Sequence, residues 1–222
     1  DYARYKNQHL IPIISQDFFT LCAEFPVVFV KDGSGEQFVP VAMMGLREGH
    51  NLYCQTEEWK AQVVPVRFNN APFSMVRVDA KGDQLAVLVD EDSPMLGETQ
   101  GTPLFKEDGT KSEYLEQKIE RLLNIAEQTV QTEGICKLFK EKDLLATQQV
   151  QLQHRQDAPA YNIGGVYTID EKKLNALSDE DYLDLRKKGI IPMIYAHLSS
   201  LQQLRRISEM QYNADKAAEA SA

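Results

Sequence analysis

The chain has 222 residues and carries 24 Lys plus Arg against 33 Asp plus Glu, a net charge of −9. That balance repels a phosphate backbone and an anionic leaflet, which argues against nucleic acid as a partner. Hydrophobic residues make up 43% and charged residues 26%, enough to bury the core of one large domain, and no apolar run approaches the roughly 20 residues that span a bilayer.

Cys22, Cys54 and Cys136 are widely spaced, with no C-x-x-C. An odd, unpatterned set predicts reduced core thiols and a reducing compartment. No signal peptide is visible, so a cytoplasmic location is expected; the chain opens at Asp1 rather than Met, which leaves an upstream segment open.

In chain order, Phe25 to Val30 is a β-branched run, followed by the turn "KDGSGE" and then "QFVPVAMM". This predicts a hairpin whose second strand Pro40 confines to an edge or a bulge. "NLYC" is a short third strand candidate, and "VVPVRFNNAPF" reads as extended, too irregular for a helix. Met75 to Asp79 and Leu85 to Asp90 form the clearest hairpin, joined by a loop with Gly82 and Asp83.

The period then changes. Thr110 and Glu113 suggest a capping box, after which Leu115, Ile119, Leu122, Ala126 and Val130 recur at helical spacing. Gly134 is expected to kink or end this helix, with a second piece running to about Leu145. "ATQQVQLQH" and "YNIGGVYTI" are candidate returning strands. From Leu177 to Gly189 the helix signals are strongest: Ser178 as N-cap, three acids in the first turn, Arg186 to Lys188 in the last, and Gly189 at C′. Pro192 opens the next helix. Residues 213–222 read as a disordered tail, leaving a single domain over 1–212.

That last helix contains an anomaly. At about 100° per residue Ile194, Leu198, Leu201 and Leu204 share a stripe, and His197 falls near its middle. An unsatisfied polar group there would cost roughly 1–3 kcal/mol, so the stripe predicts a satisfied, largely buried histidine ahead of a functional one.

Other constellations are weak. His9, His50, His154 and His197 have no metal-ligand spacing, and "DEDS" at Asp90 to Ser93 lacks a calcium loop's pattern, so no metal is expected. "DGSGE" reads as a turn, and "NIGGV" as a bulge rather than a phosphate loop. No cofactor motif appears. Trp59 and Phe73, at proline-rich turns, read as core plugs ahead of a ligand wall, and Arg67 could anchor an anion.

The succession "HLIPI", "FPVVFV", "VPVAMMGLREGHNLY", "VPVRFNNAPFSMV", "VLVDEDSPML", "GTPLF", "GGVYTIDEKKLNAL" and "GIIPMIYAHLSSLQQLRRI" resembles the bacterial SapC-like family from about His9 to Ile207. "VRFNNAPF" and "IYAHLSSL" are its most distinctive stretches. The resemblance implies one continuous domain and, through the family's name, an association with surface layers. It carries no catalytic motif over to these residues. Some members are labelled peptide-transport components, but without a transmembrane segment this chain is not a permease by itself.

These readings combine into an α+β domain, an N-terminal antiparallel sheet packed by C-terminal helices. The expected function is a non-enzymatic binding or assembly module with an unidentified protein or small-molecule partner, a homo-oligomer being left open. Trp59, Arg67, Phe73 and His197 are the candidate contact residues. The competing reading is an enzyme, or an accessory subunit of one, with Arg67, Trp59, Tyr195 and His197 as a distant-residue site. Tyr195 and His197 project about 200° apart on a helix, which weakens it.

Overall fold

The computed structural model describes residues 2–78, 84–156 and 158–220. In chain order its elements are β1 (Leu10–Pro12), α1 (Phe18–Cys22), β2 (Val27–Lys31), β3 (Phe38–Met43), β4 (Phe73–Arg77), β5 (Leu85–Val89), α2 (Glu113–Glu141), β6 (Leu145–Leu152), β7 (Tyr161–Ile169), α3 (Glu171–Asn175), α4 (Asp179–Lys187), α5 (Ile191–Ser200) and α6 (Gln203–Ala220). The chain is α+β, with antiparallel sheets and C-terminal helices. It gathers into two compact units: residues 1–65 with 132–222, and residues 66–131.

The larger unit holds a five-stranded antiparallel sheet in the order β1-β3-β2-β7-β6. The hairpin read around "KDGSGE" is present, its turn closed by Asp32, whose carboxylate accepts from the Ser34 hydroxyl and the Glu36 and Gln37 amides. β3, however, lies between β1 and β2 and is not an edge. Pro40 is accommodated because its carbonyl, and so its missing N–H, faces the β1 side just where β1 ends: Pro12 is the last paired residue there, and the Ile13 amide donates to the Pro40 carbonyl.

Both returning segments of the second half are strands of this same sheet, so the sheet is not confined to the N-terminal half. Between the pairs Gln148↔Val166 and Val150↔Ile163, β7 contains one more residue than β6. The extra residue falls at Gly164–Gly165, and Gly165 has φ +73°, the left-handed conformation a bulge of this kind requires.

Several local expectations are corrected. Asn51 to Cys54 form a buried turn rather than a strand: Asn51 is fully buried, its side-chain oxygen accepting from the Tyr53 amide. Val66–Asn70 coils into a 3₁₀ turn. α2 runs unbroken through Gly134, and its first turn is capped by Ser112, whose hydroxyl accepts from the Leu115 amide. Thr110 instead bonds Asp108 within the preceding turn.

The helices after β7 follow their end signals closely. Ser178 caps α4 by accepting from the Asp181 amide. At the other end the Gly189 amide donates to the Arg186 carbonyl and the Ile190 amide to the Leu185 carbonyl, with Gly189 at φ +70°. This is a Schellman closure, which leaves only glycine unstrained at that position.

The segment read as one helix from Pro192 breaks at Leu201–Gln202 into α5 and α6. α6 then continues to Ala220, through the segment expected to be disordered from Asn213. Asp215 anchors it, accepting from Arg47 at 2.7 Å, from the Tyr161 hydroxyl and from the buried Gln211.

The smaller unit is built on the predicted β4–β5 hairpin, in register from Phe73↔Val89 to Arg77↔Leu85. Its Asp79 end and its Gly82–Asp83 loop lie outside the described residues. Phe73, Leu115 and Leu122 form its buried core, with Met75, Val87, Leu104, Tyr114 and Ile119 packed against them.

Candidate functional site

His197 is fully buried, and the polypeptide that holds it explains why an imidazole replaces a leucine. The buried face of α5 is Met193, Ile194, His197 and Ser200, slightly rotated from the leucine stripe. It packs on α1, β2 and β7. Nδ1 lies 2.8 Å from the Val27 carbonyl, and Nε2 accepts from the Ile169 amide at 3.1 Å. A carbonyl only accepts, so Nδ1 carries the proton and the ring is neutral. Burial pushes its pKa down to about 4. Ser200, also buried, accepts from the Val27 amide at 3.0 Å. The Phe29 ring stands edge-on to the imidazole, 5.1 Å between centroids. Tyr195, two residues away, is 43% exposed, as the helical geometry requires.

Trp59 is half-buried in the same unit, in an aromatic cluster with Tyr2, Phe25 and Tyr53 at centroid distances of 5.6, 6.2 and 5.8 Å. Its indole N–H donates to the Val63 carbonyl at 2.8 Å. The loop carrying it is tied down by Glu24, whose carboxylate accepts from the Gln62 and Val63 amides and pairs with Arg206 at 2.9 Å.

Arg67 and Phe73 belong to the smaller unit, so the structure assigns the four candidates to two different bodies. Arg67 is exposed and donates to the Thr129 hydroxyl at 3.1 Å. Phe73 is 4% exposed and is among the residues that line a concavity.

That concavity, about 330 Å³, lies between the start of β4 and the loop before α2. Pro72, Phe73, Leu96, Pro103 and Tyr114 give it an apolar floor, and Thr99 stands at its polar rim. A shallower hollow of about 570 Å³ adjoins it, sharing Thr102, Pro103 and Tyr114 and opening toward Phe105 and Gln117. The sequence reading missed residues 95–104 and Tyr114. The available signal was a long loop without secondary structure, punctuated by Gly97, Gly101 and Pro103, joining a hairpin to a helix.

The thiols face inward. Cys22, Cys54 and Cys136 are buried and unpaired, and desolvation pushes them up to about 12, 11 and 12. Among the described residues no group of three His, Cys, Asp or Glu is placed to hold a metal ion, and no helix is long and apolar enough to cross a membrane.

Comparison with known proteins finds one family, SapC, whose model matches residues 1–207. No curated protein and no solved structure matches the chain. With nearly the whole length covered, the chain belongs to the SapC family.

Proposed function

We propose that the chain is a non-enzymatic binding or assembly module of a bacterial envelope, surface-layer-related or uptake system. The observation that carries this reading is the cleft beside Phe73. Its prolines and aromatic rings offer flat apolar surface, and Thr99, Gln100, Thr102 and the Glu98 carboxylate add hydrogen-bonding groups, the last of them charged. Such a lining recognises a planar or apolar group and orients it. By contrast, the imidazole of His197 and the three thiols, the side chains best suited to proton transfer or nucleophilic attack, are committed to packing. Membership of SapC supports the surface-layer link through the family's name.

The test is affinity capture from the source cell, with mass spectrometry of bound proteins and small molecules, using wild type beside Thr99→Trp/Thr102→Trp. Both threonines are exposed at the cleft, so the indoles fill it without disturbing the core. Wild type should retain a partner that the filled variant loses. Equal retention by both proteins, or turnover of a captured small molecule by wild type, would overturn the reading.

A further inference from the structure

β5, Leu85–Val89, consists entirely of apolar residues and is paired on one side only. In the hairpin, the Val78 amide donates to the Gln84 carbonyl and the Asp90 amide to the Pro72 carbonyl. The backbone groups of residues 84, 86, 88 and 90 therefore face β4, and those of Leu85, Val87 and Val89 face outward. No described group bonds to them there. The strand has none of the usual protections of an edge, being without lysine, proline or bulge. Across the outward face of the hairpin, Val76 is 42% and Leu88 47% exposed.

We propose that two copies of this chain associate through β5, the strands pairing antiparallel about Val87 to convert two hairpins into one four-stranded sheet. The outward groups at residues 85, 87 and 89 are symmetric about Val87, so a two-fold axis there satisfies all of them at once. Leu85 then stands opposite Val89 of the second copy.

Charge selects the same arrangement. Among the described residues, Arg77, exposed at one end of the hairpin, has no carboxylate partner, and neither Glu91 nor Asp92, exposed at the other end, has a cation partner. Antiparallel pairing brings these opposite ends together. Arg77 lies one strand beyond Leu85, so it stands about 10 Å from the strand end that precedes Glu91 in the other copy. An arginine and a carboxylate side chain together cover that span. This inference is independent of the cleft and of the function proposed for it.

Sedimentation equilibrium of the full chain tests it. Wild type should be a dimer at about 100 μM, and Val89→Pro, which removes an outward N–H and no hairpin bond, should weaken dimerisation more than about a hundredfold. Circular dichroism checks that this variant folds. Arg77→Glu should also weaken the dimer, and adding Glu91→Arg and Asp92→Arg should restore it; this series keeps the test decisive if the proline variant misfolds. A monomeric wild type, a folded Val89→Pro variant with unchanged association, or an Arg77→Glu chain that dimerises like wild type would each overturn the proposal.

Discussion

Val27 and Ile169 are successive in register with the last paired residues of β2 and β7, yet they do not bond to each other. The ladder pairs Phe29 with Tyr167, and two residues further on it would pair Val27 with Ile169. At that point the strands are bridged by a ring: the Val27 carbonyl takes the proton of His197 Nδ1, and the Ile169 amide donates to Nε2. One side chain of α5 thus substitutes for a rung of the sheet, and Ser200 serves the remaining Val27 amide. A neutral imidazole donates from one edge and accepts on the other while remaining packable.

His197→Leu should therefore destabilise the fold by about 2–4 kcal/mol. Two buried backbone groups lose their partners at roughly 1–3 kcal/mol each, and the added apolar burial offsets part of that. Urea titrations of wild type and variant measure the difference. Equal midpoints with equal slopes would show that the bridge contributes nothing.

The same bridge gives stability a pH dependence. The folded pKa of His197 is near 4, against an ordinary value of 6.5. Between those two values the unfolded chain holds the proton and the folded chain does not, so stability present above about pH 6.5 is lost as pH falls toward 4. The loss approaches about 3 kcal/mol. Subtracting the His197→Leu profile from that of wild type removes the contribution of the carboxylates. A flat difference over this window would contradict the assignment.

Two glycines should respond in opposite directions to alanine. A Cβ at Gly134 meets nothing within 4 Å, and the residue lies inside α2, so Gly134→Ala should stabilise by about 0.5–1 kcal/mol through helix propensity. A Cβ at Gly45 would lie 1.9 Å from the His50 carbonyl oxygen, so Gly45→Ala forces the backbone apart and should cost about 3 kcal/mol or more. Thermal melts of the two variants should move in opposite directions.

The thiols should be silent in the native protein. Their burial and raised pKa leave negligible thiolate at pH 8, so a disulfide reagent should label none of Cys22, Cys54 and Cys136 until denaturant is added. Rapid native labelling of any one of them would show that its region opens readily.

Features governed by neighbours a few residues apart were legible in the sequence. The α4 caps at Ser178 and Gly189, the two hairpins and the apolar spacing of α2 are local events, in which a side chain and the backbone it serves lie within one turn. The burial of His197 was legible too, because helical periodicity alone places it among apolar neighbours. Its partners were not: Val27 is 170 residues away in the chain, and only the packing of α5 across two strands defines the rung it replaces. The same holds where the reading failed. Gly134 continues a helix because α2 is sustained on both sides of it. Pro40 sits in an interior strand because β1 stops short of it, and α6 persists to Ala220 because Asp215 finds Arg47 and Tyr161. The cleft of the smaller unit is likewise a product of chain return, since Phe73 and Tyr114 become neighbours of one space only when the hairpin packs on α2. Local propensity selects the elements; burial and hydrogen-bond satisfaction between distant segments decide where they end and what they enclose.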